Sequence, residues 1–236
     1  MAEAKKTVLF IVEGASDKTA LEKIFQAIYK RNRYIEFKFT DGDISSDPTV
    51  TERNVESRIY KIVSDFMKDK KLNRNDIFQV IQIFDMDGAY IPETSIVSGD
   101  QNKFVYTNTT ISCKDTNRVK DRNRRKKGIM DYLRRVSSIN NIPYEMYFMS
   151  CNLDHALYDV MNLDKDLKQA YADKFYETFI GHERMFIDFL KTDVVNGVPD
   201  NLSKSWEYIT QELHSLERHT NLHIYFQEHP LPDGLL

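Results

Sequence analysis

Cysteine is nearly absent. Cys113 and Cys151 are the only two in 236 residues, and they form no CxxC. That excludes a disulfide-stapled scaffold and fits a reduced, cytoplasmic setting. No apolar run approaches the roughly 20 residues needed to span a bilayer, so no membrane partner is expected. The opening Met-Ala-Glu-Ala-Lys-Lys-Thr lacks a secretory pattern, because the apolar run after it is short and meets Glu13. Internal repeats and low-complexity linkers are also missing. The chain is long for one average domain and short for two, so residues 1–236 read as one elaborated domain. Aromatic residues are not scarce: 14 Phe and 13 Tyr argue against disorder.

Net charge is −3, unevenly spread. Lys114, Arg118, Lys120, Arg122, Arg124, Arg125, Lys126 and Lys127 stand within residues 114–127 against only Asp115 and Asp121. This segment carries an excess of six positive charges, which leaves −9 on the rest. A basic patch on an acidic body holds a polyanion in one place and repels it elsewhere.

The first half alternates two periodicities. Residues 7–12 read as a strand. Residues 16–31 read as a helix with Ser16 at the N-cap, Asp17 in the first turn and an apolar stripe of Ala20, Leu21, Ile24, Phe25 and Ile28. Ile35, Phe37 and Phe39 alternate in a second strand that runs into Asp41-Gly42-Asp43. Val55, Ile59, Ile62, Val63 and Phe66 predict a helix over 53–69, and 78–84 predicts a third strand. A β-α-β-α-β order implies an α/β fold with a mainly parallel sheet flanked by helices. The core is expected over about 7–158, with an insertion at about 89–123 holding a hairpin of Lys103–Tyr106 and Thr110–Cys113. A helix follows at 124–138 and a strand at 144–149. Helices over 165–190 and 203–217 are expected to form a cap (about 159–220), with a last strand at 222–227.

Three carboxylates carry the chemistry. Val8–Val12 ends in Glu13-Gly14, and Phe78–Phe84 ends in Asp85-Met86-Asp87-Gly88. In an open α/β sheet, strand ends of this kind face the ligand crevice. Residues i and i+2 of an extended strand share a face, which would aim Asp85 and Asp87 at one point. Three converging carboxylates repel one another unless a cation sits between them. Mg²⁺ or Mn²⁺, hard and oxygen-seeking, is the expected cofactor, and it would polarise a phosphoryl oxygen. The amides near Ser16 offer a place for a phosphate. Each motif alone also reads as an ordinary turn, since Asp and Gly favour turns.

Strand-Glu13-Gly14, then Ser16-Asp17 and a helix with Ala20-Leu21, then a strand ending Asp85-Met86-Asp87-Gly88, resembles the TOPRIM domain. That domain occurs in type IA and II topoisomerases, bacterial primases, ribonuclease maturases and overcoming-lysogenization-defect nucleases. The likeness covers roughly residues 7–90 and implies a TOPRIM-like fold. It also implies that Glu13 is a general acid/base or metal ligand and that Asp85 and Asp87 hold the ion. Ser150-Cys151-Asn152-Leu153-Asp154 is similar to the Ser-Asn-…-Phe-Glu segment of some TOPRIM-like defence nucleases, with Asp replacing Glu. The likeness makes Asp154 a further metal ligand; the competing reading is a helix N-terminal Asp. No gyrase-like or primase-like companion domain accompanies the motifs.

The resemblance implies a stand-alone nuclease that cleaves RNA or DNA, in anti-phage defence or RNA processing, with a protein activator or a homo-oligomer as partner. Two other readings stay open: a non-catalytic nucleic-acid- or nucleotide-binding module, and phosphoryl chemistry on a small nucleotide. The basic segment would neutralise a phosphate backbone without reading its sequence, flanked by Tyr106 and Tyr132 as stacking candidates; the alternative is a solvated helix face. His214, Glu217, His219 and His223 raise zinc without any cysteine pattern. Cys151 with His155 raises a nucleophile, against a small residue buried at a strand end. Trp206 reads as core, and Glu217-Arg218 as a tie between cap and core.

Overall fold

Every residue of 7–12 is buried, which marks a strand covered on both faces at the centre of a parallel sheet. The computed structural model describes residues 6–30, 32, 35–42, 44–45 and 47–229. Its elements are β1 (Lys6–Val12), α1 (Ala15–Ile28), β2 (Ile35–Asp41), α2 (Val55–Lys70), β3 (Ile77–Asp85), β4 (Ile96–Ser98), β5 (Val105–Tyr106), β6 (Ile111–Cys113), α3 (Thr116–Leu133), β7 (Ser138–Ile139), β8 (Ile142–Ser150), α4 (Leu153–Tyr158), α5 (Lys168–Phe179), α6 (Glu183–Thr192), α7 (Leu202–Ile209), β9 (His219–Thr220) and α8 (Leu222–Glu228).

The main sheet runs β2-β1-β3-β8-β7, with β9 also paired to β8. The β2-β1, β1-β3 and β3-β8 pairs are parallel; β7 and β9 pair with β8 antiparallel. This is the mixed α/β, mainly parallel architecture that the alternating periodicities predict. Period 2 sorts the strand residues between two cores. Val8, Phe10, Val12, Ile81, Ile83, Tyr147 and Met149 face one side, under α1, α5, α6 and α8. Leu9, Ile11, Val80, Phe84, Tyr144, Met146 and Phe148 face the other, under α2, α3 and α7. A second sheet of order β4-β6-β5 sits over a third, smaller cluster.

Several boundaries differ from the sequence reading, each for a local reason. Gly14, not Ser16, is the N-cap of α1. The Asp17 carboxylate accepts the Gly14 N–H at 2.8 Å, so Asp17 reaches back to the cap from the first turn. The insertion forms the expected hairpin (β5 with β6), plus β4 parallel to β6, but it ends at 115. There Asp115 caps α3 by accepting the Asn117 N–H, so the basic segment is helical from 116 and the helix stops at 133, not 138. The stretch 165–190 breaks into α5 and α6 at Gly181, whose φ of +81° interrupts the helix. The helix expected over 203–217 stops at Ile209 and resumes only as a 3-10 turn at His214–Leu216. Residues 222–227 are helix α8, not a strand: Leu222 to Phe226 are all buried, and a short, wholly apolar run has no period to separate the two forms. Asp43, expected after β2, and residues 1–5 lie outside the described residues.

Candidate functional site

The chain leaves β1 towards β2 on one side and then crosses back to β3 on the other. That reversal is a topological switch point, and the crevice outside the carboxyl ends of β1 and β3 is where such sheets bind ligands. Glu13 follows β1 directly, and Asp85 is the last residue of β3. Glu13 Oε1 accepts from the Asp85 backbone N–H at 3.3 Å and from the Ser45 hydroxyl at 2.9 Å. Asp85 Oδ1 accepts the Leu153 N–H at 2.9 Å, which joins the end of β8 to the cluster.

Asp87 arrives by a different route from the expected one. It is not extended: its φ is +51°, followed by Gly88 at +63°. A turn, not the strand pleat, swings its carboxylate back to the site. Asp tolerates the left-handed region. Gly88 suits this turn, since its φ is strained for a side chain and a Cβ there would lie 2.6 Å from Leu216 Cδ2 and 2.9 Å from Ile111 Cδ1, which would have to shift.

The carboxylates are not alone. Lys126, 1 % exposed, sends Nζ to within 2.6 Å of Asp87 Oδ2 and 3.2 Å of Glu13 Oε1. Arg122, one turn earlier on α3, places Nη1 3.4 Å from the same Asp87 oxygen and 3.1 Å from the Tyr106 hydroxyl. Its Nε and Nη2 are buried without a hydrogen-bond partner among the described residues. Lys168 of α5 pairs with Asp154 Oδ2 at 2.6 Å, which leaves buried Asp154 Oδ1 with no hydrogen-bond partner among the described residues.

These neighbours separate the acids. Burial and the charges of Glu13, Asp17 and Asp87 hold the Asp85 carboxyl well above the ordinary range. Burial also opposes charge on Asp87, but Lys126 and Arg122 overcome it and keep its pKa low. Burial pushes Asp17 up to about 6, with Asp154 adding to the rise against the Gly14 N–H and Lys168. Lys126 stays protonated despite burial, because Asp87, Glu13 and Asp85 favour its charge.

Among the described residues, five carboxylates (Glu13, Asp17, Asp85, Asp87, Asp154) therefore share three cations (Lys126, Arg122, Lys168). With these eight groups ionised they sum to two negative charges. Two protons neutralise that sum, and the raised Asp17 and Asp85 are the acids that take them. One divalent cation would do the same. Among the described residues no three His, Cys, Asp or Glu side chains form a group that could hold a metal ion; Lys126 bridges two of the candidates instead. The donor chemistry, carboxylate oxygen throughout with Asp154 Oδ1 orphaned among the described residues, is of the kind a hard cation takes.

The eight basic residues divide sharply. Arg118, Arg122 and Lys126 recur every four residues on one side of α3, from exposed through half-buried to buried. Arg118 and Arg122 lie over the Phe104 ring at 5.5 and 5.0 Å, and Arg122 over Tyr106 at 5.8 Å. Lys120 pairs with Glu93, Arg124 with Asp121 and Lys127 with Asp131, all away from that row. Lys114 is exposed ahead of the helix, and Arg125 is half-buried. Tyr106 joins the row, whereas the Tyr132 hydroxyl is bonded to Glu56 on α2.

The remaining candidates have structural employment. His214 bonds the Tyr208 carbonyl, His219 pairs with Glu217 and His223 with Asp200, so the three imidazoles do not converge. Cys151 is 1 % exposed, burial pushes its thiol up, and His155 Nδ1 accepts the Cys151 backbone N–H. Trp206 is core, with Nε1 donating to the Met146 carbonyl. Arg218 ties the C-terminal segment to Ala156 O and Asp159.

Sequence reasoning missed Asp17, Ser45 and Lys168 as members of the site and treated Lys126 as one of eight equal charges. For Lys126 a signal existed. It stands in the buried stripe Val119-Asn123-Lys126-Met130-Leu133, where a lysine needs a partner. Lys168 and Ser45 carried none, since only the tertiary fold brings them near. No protein-family model, curated protein or solved structure matches this chain, so the geometry of the site stands as the evidence for what it does.

Proposed function

We propose that this chain is a divalent-metal-dependent phosphodiester hydrolase, a nuclease acting on RNA or DNA on a TOPRIM-like fold. The observation that carries the reading is the convergence of Glu13, Asp85 and Asp87 at the switch point, in a cluster whose acids outnumber its cations among the described residues. Asp85, Asp87, Glu13 and Asp154 would hold Mg²⁺ or Mn²⁺. When bound, the ion supplies charge for a phosphoryl oxygen and lowers the pKa of a coordinated water.

The chain's own residues do the rest. Arg122 presents two unpartnered donors beside Asp87, suited to a phosphate oxygen. Arg118 extends the positive row towards solvent and would take the next part of the backbone. Glu13, whose Oε1 is held by the Asp85 N–H, Ser45 and Lys126, would handle a proton through its carboxylate. Of the eight basic residues named from the sequence, Arg118 and Arg122 are the ones this reading assigns to substrate, while buried Lys126 serves the carboxylates. A role in anti-phage defence or RNA processing belongs to the same proposal through the family resemblance alone.

A second reading, a non-catalytic nucleic-acid-binding module, draws on Lys126 and Arg122: their two charges already meet Glu13 and Asp87 without an added ion. One assay separates the two. Labelled RNA, single-stranded DNA and duplex DNA are incubated with Mg²⁺ or Mn²⁺ and wild type, Glu13→Gln or Asp85→Asn. Cleavage by wild type that falls at least a hundredfold in both variants supports the hydrolase. Binding without cleavage under either metal supports the module.

A further inference from the structure

A cavity of about 900 Å³ lies on the opposite side of α3's length from the acidic cluster. Its volume falls within the range of small-molecule sites, about 300–1,000 Å³. Leu133, Val136, Met146, Leu202 and Trp206 form its apolar wall. It lies at the level of Tyr144–Met146 on β8, paired with Val80–Gln82 of β3, whereas Asp85 pairs with Met149. Three to five residues of strand therefore separate it from the carboxylates, roughly 10–16 Å.

Its charge is positive once each lining group is followed to its partner. Asp131 is taken by Lys127 at 2.7 Å and by the Tyr90 hydroxyl at 2.8 Å. Glu145 stands on the other face of β8, bonded by Tyr147 at 3.1 Å and paired with His229 at 3.6 Å. Arg134 lies 3.9 Å from Asp131, beside the Tyr90 hydroxyl, and 5.7 Å from the Trp206 ring centroid. Arg135 is exposed and forms no ion pair among the described residues. Tyr144 stands in the wall, its hydroxyl sealed beneath the surface.

We infer that this cavity is a second ligand site, which takes a small organic anion joining a flat ring to a phosphate or carboxylate, with a mononucleotide as the test case. The ring lies against the apolar wall beside Arg134 and Trp206, and the anion meets Arg135. The inference is independent of the proposed hydrolysis. α3 links the two places physically: Lys126 and Arg134 are eight residues apart on that helix and its end, about 12 Å.

Trp206 is the only tryptophan in the chain, so its emission reports on this cavity. The full chain, with EDTA present, is titrated with AMP, GMP, CMP and UMP, and separately with inorganic phosphate and with adenosine. The expected result is a saturable change with at least one nucleotide. Half-saturation should be at least tenfold weaker in Arg135→Glu, while phosphate and adenosine alone bind worse than the nucleotide. Arg135 is exposed, so the variant should fold, which its circular dichroism checks. No saturable response to any of the four, equal affinity in Arg135→Glu, or phosphate binding as tightly as the nucleotides would each overturn the site. None of these results depends on whether Glu13 and Asp85 support cleavage.

Discussion

Lys126 decides how the acidic cluster is read. An ammonium buried to 1 % exposure is tolerated only when its charge is met, and here it is met twice, by Asp87 and Glu13. Removing it leaves two carboxylates with their mutual repulsion and a lost counter-charge. Lys126→Met keeps similar volume and should lower unfolding free energy in EDTA by about 3–5 kcal/mol, the usual cost of breaking a buried pair from one side. Adding Mg²⁺ or Mn²⁺ should recover part of that loss, and recover more in the variant than in wild type, because the variant cluster is one charge more negative. Urea denaturation with and without metal measures both. A loss below about 1 kcal/mol would mean that the pair does not form. At this scale the sequence was half legible. Glu13, Asp85 and Asp87 were visible as acids at the ends of apolar runs. Their counter-ions were not, because a lysine or arginine reveals its partner only through the fold.

At the scale of elements, period decided what was readable. Strands β1 and β3 and helices α1 and α2 have clear signatures, and the structure places them within a few residues of expectation. The two-residue turn between β7 and β8 has Asn140 and Asn141 at φ +48° and +61°, a left-handed pair that closes a hairpin. Helix α8 lacked any such mark. Burial on all sides erased the pattern that distinguishes helix from strand. Helix α3 shows the reverse case: its high charge concealed an ordered row. Arg118, Arg122 and Lys126 follow one side, while Arg124 and Lys127 project elsewhere and pair with acids on their own helix. If that row meets a nucleic-acid backbone, the eight charges are unequal. Arg118→Ala should weaken oligonucleotide binding several-fold and reduce the slope of log affinity against log salt by about one. Arg124→Ala and Lys127→Ala should change neither. Fluorescence anisotropy at several salt concentrations tests this, and equal effects at all three positions would show a diffuse patch.

For the molecule as a whole, the expected cap is better described as one layer of the fold. Phe175 and Phe179 of α5, Phe186 of α6 and Phe226 of α8 share a single cluster with Phe10 of β1 and Phe25 of α1. Sequence could not show this, because the helices after residue 165 pack on strands more than a hundred residues earlier. That layer also carries Lys168 to the acids, so the stability of the fold and the charge of the site are linked through pH. Asp17 has its pKa raised from 3.8 to about 6 in the folded state, mainly by burial. The folded chain therefore binds more protons than the unfolded chain across that window. Stability from this group is complete below the unfolded value and is lost as pH rises through about 6. Burial lowers His155 to about 4, which acts in the opposite sense and destabilises as pH falls below 6.5. The two are separated by comparison with Asp17→Asn, which keeps an oxygen for the Gly14 N–H and leaves His155 unchanged. Between pH 4 and 7 the variant should gain on wild type by on the order of 2–3 kcal/mol, from a shift of about two pKa units at 1.36 kcal/mol each. Saturating Mg²⁺ should shrink that gain, since a bound cation favours the ionised carboxylate in wild type. A difference that stays flat across this range would show that Asp17 ionises normally and does not belong to the charged cluster.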